Sequence, residues 1–158
     1  MSLSSPFAFR KGLSRHPSRA APTREKTPDP FALRTEAEVT FRFGASSPRR
    51  RRLVLRLRRW IELSRLTGAS RFLVDGSFVT ARKEPNDIDA VVFLADDFEA
   101  QISRGSEPAL ELEQMLLTRR PEEIFAAEDS GDWNDWVEFF TRTRELDGRR
   151  KGLVEVRL

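Results

Sequence analysis

Residues 72–94, FLVDGSFVTARKEPNDIDAVVFL, set a Gly-Ser pair and two alternating aspartates between two apolar runs. The runs read as strands, one over residues 71–75 leading into Asp-Gly-Ser, the other over residues 87–94 after the turn signal Glu84-Pro85-Asn86. Residues two apart on a strand share a face, so Asp87 and Asp89 project together while Ile88 and Ala90 enter the opposite layer. Two carboxylates that close repel unless a cation lies between them.

Magnesium suits such a pair, because it takes hard oxygen ligands, keeps several waters, and is commonly held by one or two carboxylates plus substrate phosphates. Two such ions, about 4 Å apart, activate an attacking hydroxyl and stabilise a leaving pyrophosphate. Gly76 and Ser77 supply the complementary part: a glycine after a strand lets backbone N–H groups approach a phosphate, and serine adds a hydroxyl donor. The same residues also fit a plain turn followed by solvated aspartates. Order and spacing together favour a site for a triphosphate and a metal.

Outward from this centre, SSPRRRRLVLRLRRWIELSRLTG (46–68) carries Ser47 as N-cap, Pro48 at the first helical position and Gly68 as the stop. Leu53, Leu57, Trp60 and Ile61 fall on one face, with Arg50, Arg51, Arg58 and Arg65 directed elsewhere. Four arginines in the first turn oppose the helix dipole and favour an anion or acidic partner there, although a solvated cationic face is the plainer account. Upstream, Thr35 and Glu38 form a capping box for a short helix ending at Gly44, with Phe41 and Phe43 as anchors to the core. Downstream, EPALELEQMLL (107–117) reads as an amphipathic helix, and DWNDWVEFF (132–140) places Trp133 and Trp136 one helical turn apart as packing residues. A turn at Asp147-Gly148 precedes a half-buried strand bearing Val154, Val156 and Leu158.

At 158 residues and 39% hydrophobic composition, the chain has apolar material for one domain. Residues 1–33, rich in Pro, Ser, Arg and Lys without apolar periodicity, read as a disordered basic tail in which His16 is solvated, with residues 34–158 as the domain. The 28 Lys and Arg against 25 Asp and Glu leave a charge of only +3, so local clusters matter more than the net balance. With no cysteine, disulfides and thiolate metal sites are excluded. The apolar runs fall short of the roughly 20 residues that span a bilayer, and no secretory signal is expected; a soluble cytoplasmic protein follows.

The Gly-Ser turn followed by PNDID and an apolar run resembles the nucleotidyltransferase superfamily, the DNA polymerase beta-like fold, particularly its minimal bacterial members. RFGASSPRRRRL (42–53), DGSFVTARKEPNDID (75–89) and DGRRKGLVEVRL (147–158) look like the signature stretches of one small bacterial subgroup. The resemblance implies an α+β fold, a mixed sheet flanked by helices. It also implies Gly76 and Ser77 on a nucleoside triphosphate, and Asp87 and Asp89 on Mg²⁺, with two ions expected and Mn²⁺ as a substitute. A third, catalytic carboxylate belongs on a later strand, and Glu155 is the candidate, its other reading being an exposed glutamate beside Arg157. Arg82 and Lys83 are candidates to neutralise phosphate charge.

Two functions follow as expectations. The first is Mg²⁺-dependent transfer of a nucleoside monophosphate from an NTP to a hydroxyl of a protein, RNA or small molecule, the RNA held through the arginine-rich helix Arg49–Arg59. The second is a non-catalytic module of the same fold, an antitoxin-like or defence-system component bound to a helical protein partner. Little chain remains after the core to form an acceptor-binding domain, which motivates the second.

Overall fold

Two N-caps organise the first half of the chain. In the computed structural model, which describes residues 31–80, 83–118, 122–142 and 153–158, the Thr35 hydroxyl accepts from the Glu38 N–H while the Glu38 carboxylate accepts from the Thr35 N–H. This capping box starts α1 (Glu36–Phe43), and Gly44 closes it. Ser47 caps α2 (Pro48–Leu66) through the Arg50 N–H. Gly68, with φ +73, ends that helix in a Schellman motif: its N–H reaches the Arg65 carbonyl, and the Ala69 N–H reaches Ser64. Both helices thus begin and end where the capping residues predict.

The chain then runs through β2 (Arg71–Asp75), a short 3₁₀ turn (Ser77–Val79), β3 (Ile88–Phe93), α3 (Phe98–Ser103), α4 (Glu107–Leu117), β4 (Glu122–Ala127), α5 (Ser130–Thr141) and β5 (Leu153–Val156), with β1 (Phe31–Arg34) ahead of α1. The strands form one five-stranded mixed sheet in the order β1-β5-β2-β3-β4. β1 pairs with β5 in parallel and β3 with β4 in parallel, while β2 is antiparallel to both its neighbours. The fold is α+β, a mixed sheet flanked by helices.

Alternation along the strands loads both faces of this sheet. Phe72, Val74, Ile88, Ala90, Val92 and Ile124 pack with α2, α4 and the start of α3, where Leu57, Trp60, Ile61 and Leu112 are fully buried. Leu73, Val91, Phe125 and Leu153 face the other way, toward Trp133, Trp136 and Phe140 of α5. Truncating one large buried side chain such as Trp60 would cost about 3–5 kcal/mol.

Three sequence expectations change. The basic tail read over residues 1–33 overlaps β1 in its last three residues, which form a strand; residues 1–30, with His16, lie outside the described residues, as does the Asp147-Gly148 turn. Phe41 is 87% exposed and anchors nothing, whereas Phe43 packs its ring 6.0 Å from that of Phe78. Arg50, expected to point away from the core, is buried at 3% exposure. Among the described residues no helix is long and apolar enough to cross a membrane.

Candidate functional site

The end of the sheet where β2 runs out and β3 begins gathers the acidic residues. Antiparallel pairing sets Asp75 opposite Asp89, and parallel pairing sets Asp89 beside Glu123 of β4. By register the three share the face that carries Leu73, Val91 and Phe125, which gives a row of carboxylates across three adjacent strands, directly opposite neighbours being about 5 Å apart at Cβ. Asp75 and Glu123 are buried, and Asp89 is half-buried. Carboxylates set side by side repel when ionised, so such a row calls for cations, hydrogen-bond donors or a shared proton close by.

Gly76 turns the chain immediately beyond this row. Its backbone, at φ 90 and ψ −179, lies in a region essentially restricted to glycine. A Cβ there would stand 3.1 Å from the Asp87 carbonyl and 3.2 Å from both the Asp89 nitrogen and the Ile88 Cα. The absence of a side chain is therefore what lets the Gly-Ser turn lie against the Asp-Ile-Asp backbone. Sequence reasoning brought Gly76, Ser77, Asp87 and Asp89 into one place, and the fold does the same.

Within that place, Ser77 and Asp87 hold each other. Asp87 Oδ1 accepts from the Ser77 N–H at 2.8 Å and from the Ser77 hydroxyl at 2.5 Å. The Ser77 Oγ in turn accepts from the N–H groups of Asn86 at 2.8 Å and Asp87 at 3.1 Å, and the Phe78 N–H donates to the Asp87 carbonyl. The donors expected to meet a phosphate are thus turned onto the first aspartate of the pair. A phosphate entering this turn would exchange places with that carboxylate.

The arginines expected to meet an anion are engaged with the chain's own oxygens. Arg50 donates to the carbonyls of Phe43 at 2.8 Å, Phe78 at 2.6 Å and Thr80 at 2.9 Å, and Arg49 donates to those of Pro85 and Asn86. Burial lowers the Arg50 pKa from its ordinary value, and the negative charge of Glu84 offsets part of that desolvation. Arg51 donates to the Ala45 carbonyl, Arg58 and Arg65 pair with Glu36, and Arg59 pairs with Glu62 and Glu111. The arginine-rich helix therefore ties α1, α4 and the Gly-Ser turn together.

Glu155 stands apart from the row. Its carboxylate accepts both Nε and Nη2 of Arg71, at 2.7 and 2.8 Å, and the Arg71 guanidinium lies 4.5 Å from the Trp133 ring centre. Its register neighbours are Leu33 and Leu73, so it lies two strands from β3 and one row away from Asp89. The carboxylates that do flank Asp89, Asp75 and Glu123, were not singled out from sequence. Asp75 immediately precedes the Gly-Ser pair, which was the available signal; Glu123 needed the β3–β4 register. Lys83 is exposed near the turn, and Arg82 lies outside the described residues.

The oxygen donors suit Mg²⁺ in kind, since one or two carboxylates with waters and phosphates suffice for that ion. Asp89 with Asp87, or Asp89 with Glu123, offers such a pair. Among the described residues, no group of three or more His, Cys, Asp or Glu side chains is drawn together closely enough to enclose a metal. The fit is to an open site whose remaining positions come from water and substrate, not to a closed cage.

No curated protein and no solved structure matches this chain. One family does, over residues 25–157, a span that takes in every described strand, the Gly-Ser turn and the carboxylate row: the chain belongs to the family of unknown function DUF6932.

Proposed function

We propose that the chain is a Mg²⁺-dependent nucleotidyltransferase, moving a nucleoside monophosphate from an NTP to a hydroxyl of a protein, RNA or small molecule. One observation carries the reading: Asp89 sits between two further carboxylates, Asp75 and Glu123, in a row that begins one residue from Gly76-Ser77. A glycine turn, a serine hydroxyl and convergent acidic strands are what phosphoryl chemistry asks of a protein, whose part is positioning and charge stabilisation.

On this reading Asp87 and Asp89 hold the ion and Glu123 takes the position expected of Glu155. Bound Mg²⁺ would polarise the phosphoryl oxygens and favour ionisation of the acceptor hydroxyl. The acceptor oxygen bonds to the α-phosphorus, the bond from that phosphorus to the bridging oxygen breaks, pyrophosphate leaves with the bond electrons, and the hydroxyl proton passes to a carboxylate of the row. Gly76 and Ser77 hold the β- and γ-phosphates once Ser77 exchanges Asp87 for phosphate oxygen. Lys83 and Arg82 are candidates for the outer phosphate charge. The cytoplasm, where NTP and Mg²⁺ abound, is the expected compartment.

Labelled NTPs, Mg²⁺ and cell extract test this directly. Transfer by the wild type, lost in Asp87→Ala/Asp89→Ala and in Glu123→Gln, is the expected result. Equal transfer by the wild type and the double variant removes the aspartates from the mechanism.

A second reading, a non-catalytic module bound to a helical protein partner, is favoured by the Ser77 hydroxyl, which is already engaged by three groups of the chain itself. A stoichiometric partner that stays bound after both aspartates are replaced, together with no NTP binding, would establish it.

A further inference from the structure

Five carbonyl oxygens around the candidate site end on two neighbouring guanidinium groups, an arrangement that the first turn of a surface helix does not need for its own stability. Cations at a helix N-terminus oppose the dipole, so Arg49 and Arg50 carry a local cost that some other contact offsets. The contacts divide by arm. Arg50 Nη1 and Nη2 hold the carbonyls of Phe78 and Thr80 on the Gly-Ser arm, and Nη1 also holds Phe43 at the end of α1. Arg49 Nε and Nη2 hold Pro85 at 3.3 Å and Asn86 at 2.8 Å on the Pro-Asn-Asp arm. The Arg50 guanidinium also lies 5.7 Å from the Phe78 ring centre, so the fork is fixed from the apolar side as well.

We propose that Arg49 and Arg50 are positioning residues of the candidate site: adjacent on one rigid helix, they set the spacing between the arm that bears Ser77 and the arm that leads to Asp87. The inference rests on the nucleotidyltransfer reading for what that spacing serves, but not for its existence. Ser77 and Asp87 meet at hydrogen-bonding distance because each arm is tied to α2 within three residues of the contact. The planar, five-donor fork of arginine suits this task; lysine gathers its three donors on one nitrogen and does not reproduce the separate reach of Nη1 to Phe43 and Phe78 and of Nη2 to Thr80.

The test uses the full chain with Arg49→Ala, Arg50→Lys and the wild type. Arg49 is half-buried and its replacement leaves the core intact, which guards against the milder failure of Arg50→Lys to fold. Amide hydrogen exchange by NMR compares Ser77, Phe78 and Asp87 with Phe72, Leu73 and Val74 of β2. Exchange at least tenfold faster in the arms, with β2 unchanged, is the expected result. Exchange that is unchanged, or that rises equally in the arms and in β2, overturns the proposal, because it would make the arginines idle or merely part of global stability.

A parallel titration with Mg²⁺·ATP separates the two claims. If the wild type binds, half-saturation shifts at least fivefold upward in Arg49→Ala; an unshifted titration overturns the positioning role. If the wild type does not bind, nucleotidyl transfer falls, and the exchange comparison alone decides the positioning of the two arms.

Discussion

Replacing Gly76 by alanine is the sharpest probe of how the Gly-Ser turn meets the Asp-Ile-Asp strand. Two costs arise. The backbone at φ 90 and ψ −179 belongs to a region that side-chain-bearing residues avoid at about 1–3 kcal/mol. The new Cβ would also press on three backbone atoms at 3.1–3.2 Å, and these cannot withdraw without disturbing the Asp75–Asp89 pairing; such overpacking costs roughly 1–3 kcal/mol. Movement that relieves one cost relieves part of the other, so about 3 kcal/mol is expected, not the full sum.

Gly105 provides the control. It too has positive φ, +76, but a Cβ there meets nothing within 4 Å, so Gly105→Ala pays only the left-handed backbone cost of about 1 kcal/mol. Urea denaturation followed by fluorescence of the buried tryptophans measures both. Gly76→Ala should lie about 2 kcal/mol below Gly105→Ala, and its midpoint temperature about 6–12 °C below wild type. Equal losses in the two variants would refute the argument that the Asp87–Asp89 backbone is what forbids a side chain at residue 76.

Two further outcomes follow from the ion pairs. Glu155→Gln should cost about 1–2 kcal/mol in urea unfolding by weakening the paired hydrogen bonds from Arg71, and should leave Mn²⁺ binding as in wild type; lost Mn²⁺ binding at unchanged stability would return Glu155 to the site. Glu38 is held below its ordinary carboxylate range of 4.5 first by the Thr35 N–H and then by the Thr35 hydroxyl, and Glu111 by Arg59. A carboxylate with a lowered folded pKa contributes stability that is present above its unfolded value and lost as pH falls through the folded one. The stability gap between wild type and Glu38→Gln, which removes the charge that both Thr35 groups bind, should therefore be steady from pH 7 to 5 and shrink below about 4.5; a gap that widens on acidification would contradict the capping assignment.

Sequence reading succeeded where the determinants were local. Thr35 with Glu38, Ser47 with Pro48, and Gly68 are signals complete within a few residues, and the helices they delimit are where the pattern puts them. The helix over Glu107–Leu117 was likewise legible from its own periodicity. β1 and β4 were not. Phe31–Arg34 is four residues long beside a proline-rich stretch, and Glu122–Ala127 opens on two glutamates, which mask a strand whose remaining residues are small or apolar.

The site divides the same way. Gly76, Ser77, Asp87 and Asp89 lie within 14 residues of one another, so spacing alone suggested their meeting. Glu123 and Asp75 join Asp89 through strand register, a long-range property that no local window contains. Glu155 was chosen for alternating with Val154 and Val156, and alternation identifies a face without saying which residue on the neighbouring strand answers it. Arg50 reads as surface by type, and only three carbonyls converging on its end explain its burial.

The sheet order bears on how the chain reaches its native state. β5 lies between β1 and β2, so the two strands on either side of it, made early in synthesis, have no partner on that side until residues 153–156 are available. Pairings across at least 80 and more than 120 residues must close late and against a large loop entropy. A nascent chain would carry α2 packed on the β2–β3 hairpin while β1 waits, and folding should be slow, the sheet closing only when β5 inserts between β1 and β2.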